Sequence, residues 1–123
     1  MRLLPVELPY FQGPDACLHL KSFISLLDAR LAVVHLELMP LPLHQELVRR
    51  GIELVEIPAA EFGTQACNVL ALGPRDCLML DRNRETRRRL EAAGCRVRTY
   101  RGEEISLKAE GGPTCLTRPI WRA

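Results

Sequence analysis

The sequence predicts an α/β fold built from a repeated strand, strand, helix, strand unit. Two observations carry that reading. Short apolar runs alternate with amphipathic stretches, and each amphipathic stretch stops at a glycine. The stretch ending Leu47-Val-Arg-Arg-Gly51 also matches, in place, the one ending Leu90-Glu-Ala-Ala-Gly94. The runs that follow them, 52 to 57 and 95 to 100, match again. Glu61-Phe62 and Glu104-Ile105 stand at the same distance beyond their glycines.

Each element has a local reason. Residues 3 to 8 form a short apolar run holding Pro5 and closed by Pro9, the pattern of a terminal strand. Gly13-Pro14 makes the next stretch a loop. Residues 17 to 27 read as a strand, with Leu18 and Leu20 on one face and His19 and Lys21 on the other. Residues 31 to 39 are a second strand, apolar enough to be buried on both faces. Pro42 suits the first turn of a helix over 43 to 50, and Gly51 its C-cap. A strand over 52 to 57 ends at Pro58, and a loop holding Glu61 and Gly63 follows. Residues 67 to 72 and 77 to 80 form a hairpin about Gly73-Pro-Arg-Asp76. A helix over 82 to 93 stops at Gly94. A strand over 95 to 100, a loop to Glu110 and a tail strand holding Leu116, Ile120 and Trp121 complete two units plus end strands.

Composition bounds the function. The chain has 123 residues, expected to form one domain over 1–123, with globular contents of hydrophobic (47%) and charged (26%) residues. A net charge of +2 argues against nucleic acid as partner. The arginines between Arg82 and Arg89 are interrupted by Asn83, Glu85 and Thr86 and read as a solvated helix face. The chain contains no apolar run long enough for a membrane helix, and its start lacks the apolar core of a signal peptide. A cytoplasmic protein with no membrane partner is expected. The five cysteines are odd in number, widely spaced and without a Cys-x-x-Cys pair, so neither a disulfide framework nor a zinc site is expected. Cys17-Leu-His19 offers two metal ligands, with no second pair to complete them. Neither a metal nor a cofactor is expected.

The repeat gives the candidate site. Val6-Glu-Leu-Pro9 resembles Val55-Glu-Ile-Pro58, so the strand-to-loop junction occurs near the start as well as after each helix. Beyond each junction a cysteine opens an apolar run: Cys17, Cys67, Cys115. His19, Asn68 and Cys115 therefore occupy nearly the same place in successive units. Units related by a rotation bring such positions together near the axis, where polar residues from distant sequence can form a site. Cys115 follows Gly111-Gly-Pro-Thr and reads either as a nucleophile or as an ordinary buried cysteine. His19 reads either as its proton-transfer partner or as a satisfied strand histidine. Lys21 and Asn68 have structural readings as well, and His35 and His44 read as structural.

Cys17-Leu-His-Leu-Lys-Ser22, Ala66-Cys-Asn-Val-Leu70 and Gly111-Gly-Pro-Thr-Cys115 resemble the C-terminal half of the guanidino-group modifying enzymes. His-Leu-Lys is most similar to dimethylarginine dimethylaminohydrolase, with arginine deiminases and amidinotransferases more distant. The resemblance implies a partial pentein fold, an α/β propeller of ββαβ units, and a guanidine hydrolase. It implies that Cys115 attacks the guanidinium carbon of arginine or methylarginine. His19 then protonates the leaving amine and activates water, giving citrulline. It further implies that the Ala109 carbonyl contacts the substrate's α-amino group. The family's guanidinium-binding carboxylates precede the histidine motif, where this chain has only eighteen residues. Glu61 and Glu104 are the acids in equivalent loops that could approach the centre. Association with a complementary N-terminal half or with further copies is expected. The alternative is a non-catalytic pentein piece acting as a binding or assembly subunit.

Overall fold

A computed structural model describes residues 3–16 and 18–121. Cys17, read above as opening a strand, lies outside the described residues. The chain forms two ββαβ units. The first comprises β1 (Ile24–Asp28), β2 (Leu31–Val34), α1 (Leu41–Arg49) and β3 (Glu53–Glu56). The second comprises β4 (Leu70–Gly73), β5 (Asp76–Leu80), α2 (Arg84–Ala92) and β6 (Arg96–Tyr100). In each, the first two strands pair antiparallel and the third pairs parallel with the second. The two helix stops behave alike: Gly51 and Gly94 take positive φ (67° and 85°), a conformation glycine adopts without a Cβ penalty.

Alternation decides which side of each sheet meets what. In β2, Ala32 and Val34 face α1 together with Leu47, while Leu31 and Val33 face the second unit. The larger core is the seam between units. Leu27, Leu31, Val33, Val55 and Ile57 of the first unit pack on Val69, Cys77, Met79, Leu90 and Cys95 of the second. Each such buried aliphatic side chain contributes roughly 1.5–3 kcal/mol. Arg75 fastens one end of the seam. Its Nε donates to Asp28 Oδ2 (2.6 Å) and its Nη1 to the Ala93 carbonyl at the end of α2 (2.5 Å). The Arg30 amide and the Arg75 guanidinium together hold the Asp28 carboxyl below the usual carboxylate range.

Glu61 fastens the other end. Asn83, at the cap position of α2, spends its side chain on Thr64, donating to the Thr64 carbonyl (2.9 Å) and accepting from its hydroxyl (2.5 Å). Capping therefore falls to Glu61. One carboxylate oxygen accepts from the Glu85 amide (2.9 Å), the other from the Thr86 amide (3.0 Å) and hydroxyl (2.6 Å). Its counterpart Glu104 is exposed and pairs with Lys108.

Several expected strands are not formed. Residues 18 and 19 are irregular and Leu20–Ser22 is a 3-10 turn. The Ser22 hydroxyl accepts the His19 N–H, and the Ser22 N–H donates to the His19 carbonyl, so local bonds replace a ladder. The second strand ends at Val34 and gives way to a 3-10 turn over Leu36–Leu38. Cys67 and Asn68 precede β4, because Gln65 turns the chain at φ 61° and the Asn68 N–H donates to the Gln65 carbonyl. Glu103–Leu107 is a turn of π-helix within the expected loop. Neither end segment is a strand. Residues 3 to 8 have no regular structure, and the tail turns at 113–115 with Leu116, Ile120 and Trp121 exposed.

Two outcomes follow from the seam. Glu61→Ala leaves two helix N–H groups and a buried hydroxyl without an acceptor and should cost about 1–3 kcal/mol in urea denaturation. Glu104→Ala should leave the midpoint unchanged. Burial pushes the Cys67 and Cys77 thiols from the ordinary 9.0 up to about 12. Between those values the unfolded chain releases protons that the folded chain keeps. Stability should therefore hold below pH 9.0 and fall as pH climbs toward 12, less steeply in a Cys67→Ala/Cys77→Ala chain.

Candidate active site

The glycine pair before Cys115 sets the tail against the second unit. Gly112 lies against Asn68: a Cβ at 112 would sit 2.2 Å from Asn68 Cγ, so only glycine permits this approach. The Gly112 carbonyl accepts the N–H groups of Cys115 (3.0 Å) and Leu116 (3.1 Å), closing the turn that presents the thiol. Asn68 is buried, and its amide is used at both ends. Its Oδ1 accepts from the Thr114 amide (3.0 Å) and hydroxyl (2.7 Å), while its Nδ2 donates to Cys115 Sγ (3.1 Å). Those partners orient the amide so that an N–H points at the sulfur, the polarity suited to a thiolate.

Among the described free cysteines the four thiols divide sharply. Cys67, Cys77 and Cys95 are buried, and burial raises all three above the ordinary thiol range. Cys115 is exposed. A reactive thiol needs both access and a polar partner, and Cys115 alone of these four has both.

Cys115, His19 and Asn68 line one cavity of about 540 Å³. The meeting of the three repeat-equivalent positions, expected from the sequence, is thus present. Lys21 also lines it. Phe62 forms an aromatic wall, stacked on the buried His35 ring (4.7 Å between centroids) and edge-on to Phe11 (5.6 Å). His35 is accordingly part of the wall's support, and His44 lies on α1 away from the cavity. Ala109 is exposed in the turn before the tail and is not among the lining residues; its neighbour Glu110 is.

Two carboxylates that sequence reasoning missed line this cavity, Asp15 and Glu110. Asp15 follows Gly13-Pro14 in the turn leading to His19, and Glu110 takes φ 55° beside the glycine pair. The available signal was proximity to turn residues flanking the histidine and the cysteine. Glu61, considered above as an acid near the centre, instead caps α2, and Glu104 pairs with Lys108. Among the described residues, no group of three or more His, Cys, Asp or Glu is placed to hold a metal ion. Among them, too, no helix is long and apolar enough to cross a membrane.

Comparison with known proteins is consistent with this geometry. The family model described as arginine deiminase matches residues 39–122, a span that holds Asn68 and Cys115 but not His19. The arginine deiminase of Mycobacterium marinum is 44% identical over 77 residues, covering 63% of this chain and 19% of that protein. That of Mycoplasma capricolum is 35% identical over the same length with the same coverage. The chain thus spans about a fifth of the length of the curated relatives it matches. Among solved structures, the N-terminal domain of the cyanobacterial arginine dihydrolase ArgZ, bound to product, superposes with a TM-score of 0.72. It does so at 21% identity, over 85% of this chain and 38% of that one. SxtG, an amidinotransferase from Microseira wollei, superposes with a TM-score of 0.62 at 14% identity, over 96% of this chain and 37% of that one. At these identities the likeness is one of fold, a partial pentein. By the match over most of its length, this chain belongs to the arginine deiminase family.

Proposed function

We propose that the chain, as one partial domain over 1–123, carries the nucleophile of a guanidine hydrolase. Cys115 Sγ attacks the guanidinium carbon of arginine or an N-methylated arginine. The C–N bond to the leaving amine breaks as His19 gives that amine a proton, leaving the carbon bound to sulfur as a thiouronium. His19 then takes a proton from water, the hydroxide adds to the carbon, and the C–S bond breaks. The products are citrulline, an amine and the thiolate. A resonance-stabilised cation requires this pairing of a soft nucleophile with a proton donor. The observation that carries the reading is the shared cavity. An exposed thiol with an amide N–H on its sulfur faces the same space as a histidine and two carboxylates.

Asp15 and Glu110 supply the negative charge that a guanidinium needs. Ala109 is assigned the α-amino contact through its carbonyl, one residue from Glu110. The family supports arginine as substrate, and His19-Leu20-Lys21 supports the dimethylargininase branch. The amine released, ammonia or dimethylamine, separates the two. The remaining substrate contacts come from a complementary polypeptide or a further copy, in the cytoplasm. No observation favours the assembly-subunit reading over this one.

The chemistry can be tested without the remaining contacts. At neutral pH a small haloacetamidine should alkylate Cys115 first, leaving Cys67, Cys77 and Cys95 unmodified by peptide mass mapping. It should react faster than the neutral haloacetamide. Asp15→Asn/Glu110→Gln should reduce that preference by about tenfold, and Cys115→Ala should abolish labelling. Citrulline assayed with arginine and with dimethylarginine should fall at least about a thousandfold in Cys115→Ala and His19→Ala. No amidine preference in the parent chain, or equal labelling of the buried thiols, would sink the assignment.

A further inference from the structure

Two unfavourable features coincide at one residue on the wall of the Cys115 cavity. Gln65 lines that cavity and closes the 3-10 turn over Ala59–Thr64 at φ 61° and ψ 38°, a left-handed conformation that opposes a Cβ. Its side-chain oxygen is buried and has no hydrogen-bond partner. Turning the amide over gives no relief. Its Nε2 donates to the Ser106 carbonyl (3.0 Å), and a flip would set two oxygens face to face. Features of this kind persist where the surroundings hold a residue for another purpose. Gln65 has two attachments that supply one. Its main-chain carbonyl accepts the Asn68 N–H (2.9 Å), and its side chain reaches Ser106 on the segment leading to Glu110 and Cys115. Ser106 is a firm anchor: it is fully buried, its N–H donates to the Gly102 carbonyl (2.9 Å), and its hydroxyl is hydrogen-bonded to that of Tyr100 (2.8 Å).

We propose that Gln65 is a positioning residue for the Cys115 thiol and acts through Asn68. Its tether to Ser106 joins the segment that carries Asn68 to the segment that carries Cys115, and so keeps Asn68 Nδ2 within reach of the sulfur. Thr114 orients the oxygen end of the Asn68 amide from the tail, while Gln65 fixes the main chain from which that amide projects. A hydrogen bond weakens steeply when donor and acceptor lose alignment, so a small shift of this main chain is felt at the sulfur. Gln65 itself has no bond to the thiol. This role presupposes the reactive Cys115 of the functional reading and adds the residue that holds its amide partner in place.

The test is the rate at which a neutral haloacetamide alkylates Cys115, read by peptide mass mapping. Gln65→Met keeps the side chain's length without its donor, and Gln65→Gly also removes the backbone strain. Each should slow alkylation about threefold, and Asn68→Ala about tenfold. In Gln65→Gly the relieved conformation offsets the lost bond, so the urea midpoint should stay near the parent's while the thiol slows. A purely structural role would move the midpoint and leave the rate of the folded chain alone. Added to Asn68→Ala, Gln65→Gly should change the rate by less than about 1.5-fold and leave the pH profile of alkylation where Asn68→Ala put it. If circular dichroism shows Asn68→Ala unfolded, Asn68→Ser takes its place. Gln65 variants that react at the parent's rate overturn the positioning role and leave the reactive thiol standing. So does a Gln65 effect that is undiminished in the Asn68 variant. A parent chain in which Cys115 reacts no faster than the buried thiols overturns both.

Discussion

The structure depends on one joint, the seating of the first sheet's back against the α2 side of the second sheet. Neither three-stranded sheet has enough apolar area to bury both faces alone, and the seam supplies the missing layer. Two polar clamps orient it. Arg75 reaches from the hairpin of the second unit to Asp28 in the first, and Glu61 reaches from the end of the first unit to the start of α2. Both clamps join a charged side chain to unsatisfied groups at an element's end. They therefore specify angle and register in a way that non-directional apolar contact cannot.

The candidate site follows from that joint. Asn68 sits between Cys67 and Val69, both packed in the seam, so its amide is held by the core rather than by the loop it serves. The Ser25 hydroxyl, from the first unit, donates to the Cys67 carbonyl (2.7 Å) and fixes the same stretch from the other side. His19 arrives by the turn before β1, Cys115 by the turn after Gly112. Three segments distant in sequence meet at one cavity because two similar units are packed in similar ways.

The parts of the molecule legible in the sequence are those set by short-range rules. Gly51 and Gly94 stop helices because only glycine takes their φ cheaply, and the unbroken apolar run from Leu31 to Val34 reads as a strand buried on both faces, as it is. The family resemblance rested on motifs around His19, Asn68 and Cys115; the arginine deiminase family model, over residues 39–122, and the fold of the neighbours agree with it for the guanidino-group modifying enzymes as a class. What was not legible depends on partners. An apolar run becomes a strand only where another strand meets its N–H and C=O groups. Residues 3 to 8 and the tail find no such partner among the described residues, so both stay irregular. Glu61 looked free for the centre because nothing local shows that Asn83 gives its side chain to Thr64 and leaves α2 uncapped. Asp15 and Glu110 flank turns whose direction the sequence does not encode at short range.

Gly112 has a consequence for inheritance as much as for shape. The space a side chain would need there is already filled by Asn68. Any change at 112 displaces the amide that touches the thiol, and any bulkier residue at 68 displaces the backbone that presents it. The two positions therefore form a single heritable unit. Drift at either is confined while Cys115 is in use, and would be released together in a descendant that had abandoned its thiol.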